Sequence, residues 1–291
     1  MASIHIRVLK KYIDSKNIFC FDEDENILNE FLEINQVNKF DGGTNFDAVL
    51  ICTPTDTHLN VYRKYQNLSK FFFIEKPLVN SQKELDGFND EELNYIYCGL
   101  IETHNEIFKE IKNFIKDQKI LSIQITRHSP KISTERISSD VDLDLAIHDL
   151  SVLLKYFLEV DEIESLTKLN NFKPTGFFET SEILLSDKNV IASISTSRIT
   201  NKKIRFWRII TDVNTYEIDL IKNKVKELNP SGEYRFINSI FNQNISQKEK
   251  TLTIPEPADI QIKYFLDLVI NETIDYENKK IMKKCHELLL N

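Results

Sequence analysis

Glycine is scarce in this chain: 6 residues in 291 positions, against a usual share of roughly 7%. That leaves little material for the glycine loops through which nucleotide-binding enzymes bring backbone amides close to phosphate. Proline is also sparse, at 7, and no low-complexity tract or Pro/Gly/Ser linker interrupts the chain, which argues against disorder and collagen-like repeats. No apolar run reaches the ~18 residues that a membrane span needs, because charge breaks each one. Cationic excess is missing as well. The balance of 37 Lys+Arg against 45 Asp+Glu gives a net charge of -8, so there is no electrostatic footprint for nucleic acid or an acidic membrane. The four cysteines, Cys20, Cys52, Cys98 and Cys285, form no CxxC pair. The opening MASIHIRVLKKYIDS has helical spacing rather than the apolar core of a secretory leader. The thiols therefore read as reduced, in a cytoplasmic protein with no metal site.

What remains is ordinary globular material, 41% hydrophobic and 28% charged, with length for about two domains. Over the first hundred residues the hydrophobic period alternates between that of helix and that of buried strand, the pattern of a parallel sheet covered by helices. A stripe of Ile4, Val8, Leu9 and Tyr12 predicts a first helix, followed by the strand NIFCF ending at Asp22. DENILNEFLEI predicts a second amphipathic helix with Asp24 as N-cap. DAVLIC, KFFFIE and NYIYCG predict buried strands, and HLNVYRKYQNL a helix between the first two. Beyond Gly99 the rhythm changes. Helices are expected near 104–117 and 143–157 and a strand near 119–127. TSEILLS, VIASISTS, IRFWRIIT and TYEIDLI then read as an antiparallel sheet, and two helices close the chain. The predicted organisation is an α/β domain over 1–99 and an α+β domain with an open, mainly antiparallel sheet over 100–291.

In open α/β sheets ligands bind beyond the carboxyl ends of the strands, so the residues that follow each apolar run come first. Asp22 ends one such run and suits a carboxylate that holds adenosine ribose hydroxyls; within DEDE it equally suits a helix cap or a solvated acid. Thr53, Pro54 and His58 follow DAVLIC at the start of a helix, as a dinucleotide contact or as an ordinary turn with a capping threonine. Glu75-Lys76-Pro77 follows KFFFI with an acid and an amine on a backbone stiffened by proline, or as a surface ion pair and turn. In DLDLAIHDL, Asp144 and His148 are four apart on one helical face, where a carboxylate can orient an imidazole and raise its basicity. The alternative there is a set of acids favouring the helix dipole beside a histidine that packs.

In this order, the strings resemble the Gfo/Idh/MocA family of NAD(P)-dependent oxidoreductases over nearly the whole chain. AVLICTPTDTHLNV is similar to the family's TPxxxH segment, FFFIEKPL to its EKP motif and DLDLAIHDL to its DxxxH helix, while TSEILLS to IDLI is similar to its open sheet. The resemblance implies a Rossmann-type first domain and a hydride transfer between nicotinamide and a secondary alcohol of a sugar, cyclitol or nucleotide sugar. Lys76 would bond the reacting hydroxyl and the nicotinamide ribose. His148 would accept the proton, steadied by Asp144. Glu75, Thr53, Pro54 and His58 would line the nicotinamide end, and Asp22 would hold the ribose of NAD in preference to NADP, because a carboxylate repels a 2′-phosphate.

GLIETHNEIF and NKKIRFW are similar to segments of the members that oxidise the C3 hydroxyl of UDP-linked hexosamines, although Thr103, His104 and Glu106 depart from that pattern. Arg127, Lys203 and Arg205 are then candidate phosphate or carboxylate contacts, or solvated strand edges. A homo-oligomer, dimer or tetramer, is implied by the resemblance.

The family opens with a strand and a GxGxxG loop, whereas this sequence begins inside that motif, with Ala2 where the third glycine falls. The expectation is therefore a start at an internal methionine, with the first strand missing from the centre of the parallel sheet and strand edges left unpaired. Two other readings stay open. One is a degenerate, non-catalytic family member serving as a binding or subunit partner; the other is a hydrolase or lyase that uses nicotinamide only transiently.

Overall fold

In the computed structural model the chain forms two compact units, Met1–His104 with Glu256–Met282 and Asn105–Pro255 with Lys283–Asn291. The structure describes all residues except 38–44, 131–137, 164, 175, 231–234, 238–239, 243–244 and 291.

The first unit opens with helix α1 (Ala2–Leu9), strand β1 (Phe19–Cys20), α2 (Glu25–Leu28) and β2 (Asn35–Gln36). It continues with β3 (Ala48–Ile51), α3 (His58–Tyr65), β4 (Phe71–Glu75), α4 (Gln82–Leu85) and β5 (Ile96–Gly99). All pairings are parallel, but they form two sheets, β1–β2 and β3–β4–β5. The parallel pairing in both sheets agrees with the alternation of helix and strand periods in the sequence. Every residue of β4 is buried, whereas Ala48, Val49 and Leu50 of β3 are only half-buried. Val8 and Leu9 of α1, Ile18, Ile34, Phe71, Phe73 and Tyr97 share one core with Ala258, Ile262 and Phe265. Those last three belong to a helix that returns from far along the chain.

The predicted second helix is cut short. Asp24 does cap it, accepting the Asn26 N–H at 2.9 Å, but α2 ends at Leu28 and a single 3-10 turn follows over Asn29–Phe31. Leu32, part of the expected apolar stripe, is 77% exposed, whereas Phe31 and Ile34 still pack on the core without a continuous helix to carry them.

The second unit holds α5 (Ile107–Phe114), β6 (Ile120–His128), a π-helical turn over Asp142–Ala146 and α6 (Ile147–Tyr156). Its remaining strands are β7 (Ser165–Asn171), β8 (Thr180–Ser186), β9 (Ile191–Ser197), β10 (Ile204–Thr211), β11 (Thr215–Asp219), β12 (Lys224–Pro230), β13 (Arg235–Ile237), β14 (Ile240–Asn242) and β15 (Ile245–Thr251). Helices α7 (Pro257–Ile270) and α8 (Tyr276–Leu290) end the chain.

Eight strands form one sheet in the order β15-β12-β11-β10-β6-β9-β8-β7, antiparallel except for β6 beside β9. Along β8 and β10 burial alternates with the side-chain period of two. Trp207 on the buried face packs against Phe108 of α5 and against Phe157, which caps α6, with ring centroids 4.8 and 5.8 Å away. Strands β7, β12 and β15 escaped the sequence reading because SLTKLNN, KVKELNP and ISQKEKT are largely polar. Among the described residues no helix is long and apolar enough to cross a membrane.

Candidate active site

In the first unit the candidate residues gather where the parallel strands end. Asp22 lies just past β1, partly exposed; its Oδ1 accepts the Asp24 N–H at 3.0 Å, and its other oxygen has no partner among the described residues. Thr53 and Pro54 follow β3 on an exposed turn, where the Thr57 hydroxyl donates to Thr53 Oγ1 at 2.8 Å. Cys52, next to them, has its thiol pushed up to about 12, by burial first and by the Glu75 carboxylate second. It stays protonated and is a poor nucleophile.

Glu75 and Lys76 end β4, and the Lys76–Pro77 peptide is cis. The Glu75 carboxylate is 5% exposed. Its Oε1 lies 2.5 Å from His5 Nε2, and its Oε2 accepts the Lys76 N–H at 3.1 Å. The acid therefore anchors the backbone that carries the Lys76 amine, which is partly exposed. Gly99 pairs with Glu75 in the sheet, and a Cβ there would lie 3.0 Å from the Phe73 ring and 3.3 Å from Glu75 Cα. A larger residue would press on the strand end. His5, 1% exposed, was missed by the sequence reading. Its one available signal is that it precedes Val8 and Leu9 by three and four residues, on the buried side of α1.

His58 does different work from the cofactor lining expected of it. It is 1% exposed. Its Nε2 lies 2.9 Å from the Thr53 carbonyl, and its Nδ1 lies 3.1 and 3.2 Å from the carbonyls of Pro77 and Leu78. The ring staples the turn after β3 to the turn after β4. Burial lowers its pKa, against the three carbonyls that would favour the cation.

In the second unit Asp144 falls within the π-helical turn and His148 in the first turn of α6. Both are partly exposed. The wider i→i+5 turn replaces the regular α-helical face assumed from the spacing of four, and such turns recur at functional sites. Asp144 Oδ2 lies 3.4 Å from Arg198 Nη1.

Arg127 is corrected from substrate contact to a structural post. It is 2% exposed, and its Nε and Nη2 donate to Asp149 at 2.5 and 3.1 Å. The same carboxylate accepts the Trp207 Nε1–H at 2.9 Å. The guanidinium is thus engaged by a buried acid of α6 and does not stand at a surface. Arg205, directly opposite Arg127 across β10–β6, is partly exposed, and Lys203 is exposed. Both remain within reach of solvent.

No family profile matches the chain. Among curated proteins it is 26% identical over 181 residues to the myo-inositol 2-dehydrogenase of Thermotoga maritima, covering 56% of this chain and 54% of that protein. The chain spans about half the length of the curated relatives it matches. Solved structures are similar along nearly all of it. The UDP-N-acetylglucosamine 3-dehydrogenase GnnA of Acidithiobacillus ferrooxidans superposes with a TM-score of 0.74 at 18% identity, over 98% of this chain and 92% of that one. KijD10, a 3-ketoreductase of Actinomadura kijaniata solved with NADP, gives 0.78 at 9% identity over 97% and 90%. A Gfo/Idh/MocA family oxidoreductase of Vibrio cholerae gives 0.73 at 15% over 98% and 91%.

Proposed function

We propose that this chain is a member of the Gfo/Idh/MocA oxidoreductases, to some of which it is similar, and a nicotinamide-dependent dehydrogenase acting on a secondary alcohol of a sugar, cyclitol or nucleotide sugar. The observation that carries the reading is the end of β4. There a lysine follows a buried carboxylate that is bonded both to His5 and to the lysine's own backbone N–H. A fixed backbone gives the amine a reproducible approach to a reacting hydroxyl.

The residues present fit the cofactor at two strand ends. Among the described residues Asp22 keeps one carboxylate oxygen without a partner, as ribose binding requires, and Thr53 and Pro54 form an exposed turn after β3. When bound, nicotinamide would supply the acceptor for the hydride of the alcohol carbon. Lys76 would stabilise the alkoxide that develops as His148, steadied by Asp144, accepts the hydroxyl proton. Lys203 and Arg205 answer an anionic part of the substrate. Asp22 selects NAD over NADP by charge. His58 and Glu75 act at one remove, by holding the turns that carry Thr53 and Lys76.

The test is formation of reduced cofactor by the purified protein with myo-inositol, a free hexose or a UDP-N-acetylhexosamine, each with NAD and with NADP. One substrate class is expected to accumulate NADH. Lys76→Ala and His148→Ala are each expected to lower kcat by about two to four orders of magnitude with an unchanged circular dichroism spectrum. No reduced cofactor from any of them, or full turnover by His148→Ala, defeats the reading; a preference for NADP removes the role given to Asp22.

A further inference from the structure

Arg198 carries no motif in the sequence, yet polar contacts from three segments of the second unit meet on it. It follows β9 directly and is 5% exposed. Its Nε donates to Glu179 Oε2 at 2.8 Å, and its Nη2 donates to the carbonyls of Ser139 and Phe178 at 3.0 and 2.8 Å. Its Nη1 lies 3.4 Å from Asp144 Oδ2. Glu179 is 0% exposed, and a carboxylate at that depth requires a charged, hydrogen-bonded partner. Because the guanidinium is planar and rigid, the bonds to Glu179 and the two carbonyls fix where Nη1 stands.

The same residues tie down the approach to the π-helical turn. The Val141 N–H donates to the Phe178 carbonyl at 3.0 Å, the Phe178 N–H to Asp140 Oδ1 at 2.8 Å, and the Asp144 N–H to the Asp140 carbonyl at 3.0 Å. The neighbouring acids are engaged elsewhere: Asp142 by Lys168 at 3.3 Å and Asp149 by Arg127 at 2.5 Å.

We propose that Arg198 is a positioning residue whose Nη1 sets the direction of the Asp144 carboxylate, and through it the imidazole of His148, with Glu179 as the counter-charge that keeps the guanidinium in the interior. The proposal rests on the reading above, in which Asp144 steadies His148.

The experiment is a double-mutant cycle on the full chain with Arg198→Lys, Asp144→Asn and the pair. Lysine keeps a cation beside Glu179 but replaces the fork by a single point charge. Arg198→Lys is expected to lower kcat about 10- to 100-fold while KM changes by less than about threefold. In the Asp144→Asn background the same substitution is expected to change kcat by less than about twofold, because the two residues act as one unit. Equal losses in both backgrounds, or an unchanged kcat, overturn the proposal.

A second readout does not need turnover: the NMR titration midpoint of the His148 ring in the same proteins. Arg198→Lys is expected to lower it, as Asp144→Asn does, because each takes a well-aimed carboxylate away from the imidazolium. The pair is expected to show no further shift. An unmoved midpoint in Arg198→Lys overturns the positioning role even where the enzyme turns over. A lowered midpoint in a protein inactive on every alcohol upholds the role and removes the dehydrogenase reading. Where lysine impairs folding, the paired Arg198→Gln and Glu179→Gln leaves no uncompensated buried charge and carries the same expectations for both readouts.

Discussion

His58 shows how a motif residue can serve a site without facing it. Both ring nitrogens look at backbone carbonyls, yet a neutral imidazole has one N–H to donate. Protonation would satisfy both sides, but burial outweighs that gain and lowers the pKa. In the unfolded chain the ring takes a proton near pH 6.5, whereas in the folded chain it does so only at lower pH. The unfolded state therefore binds more protons in that interval, and stability contributed by the neutral ring is full above about pH 6.5 and declines on acidification. Urea unfolding at pH 7.5 and 5.5 is expected to show this decline, and His58→Gln is expected to lessen it. An identical pH dependence in the two proteins would mean that His58 titrates alike in both states. Arg127 teaches a related lesson: an arginine near a substrate motif can be a core residue when an acid such as Asp149 meets it in the interior.

At the scale of elements, β4 is flanked on both sides and wholly buried, while β5 has, among the described residues, a strand neighbour on one side only. Asn278 of α8 completes that open edge. Its Oδ1 accepts the Cys98 N–H at 2.9 Å, and its Nδ2 donates to the Cys98 carbonyl at 3.0 Å. One amide side chain thus imitates the pair of bonds that a neighbouring strand would supply. Replacing it leaves the buried Cys98 N–H without that partner, at about 1–3 kcal/mol before water or backbone adjustment compensates, while the Cys98 carbonyl keeps the Leu100 N–H at 2.7 Å. Asn278→Ala is expected to lower the unfolding free energy by about 1–3 kcal/mol in urea titration. A loss below about 0.5 kcal/mol, the range of ordinary surface changes, would show that the edge finds other partners. The outermost strand of the large sheet, β15, is protected by composition instead: Lys248, Glu249 and Lys250 put alternating charge on an edge open to pairing.

For the whole molecule, the first unit is discontinuous in sequence. Its core takes Ala258, Ile262 and Phe265 from α7, all at most 2% exposed. Residues 1–104 alone would leave that apolar surface uncovered, at about 1.5–3 kcal/mol for each large side chain. A fragment of residues 1–104 is expected to lack cooperative thermal unfolding. Joining residues 256–282 to it through a flexible linker is expected to restore the transition. A cooperative transition in the short fragment would show that α7 is dispensable to the core.

What the sequence determined by itself was whatever repeats at short range or follows at once from a run of residues. The period of two in TSEILLS and IRFWRIIT, the continuous apolar runs of DAVLI and KFFFI, and the residues that end them gave both sheet types and the places where chemistry should gather. Each depends on side-chain alternation or backbone restriction over a few positions. Tertiary structure decided the partners. His5 meets Glu75 across 70 residues, Arg198 meets Asp144 across 54 and Asn278 meets Cys98 across 180. Such pairs leave no periodic trace, because burial far along the chain, not local geometry, brings a charge or an amide its partner. The same cause moved Arg127 and His58 from the list of ligand contacts to the framework. Their residue types were right for binding anions or a cofactor, but only packing determines whether a polar side chain points outward or is enclosed with an acid or a carbonyl.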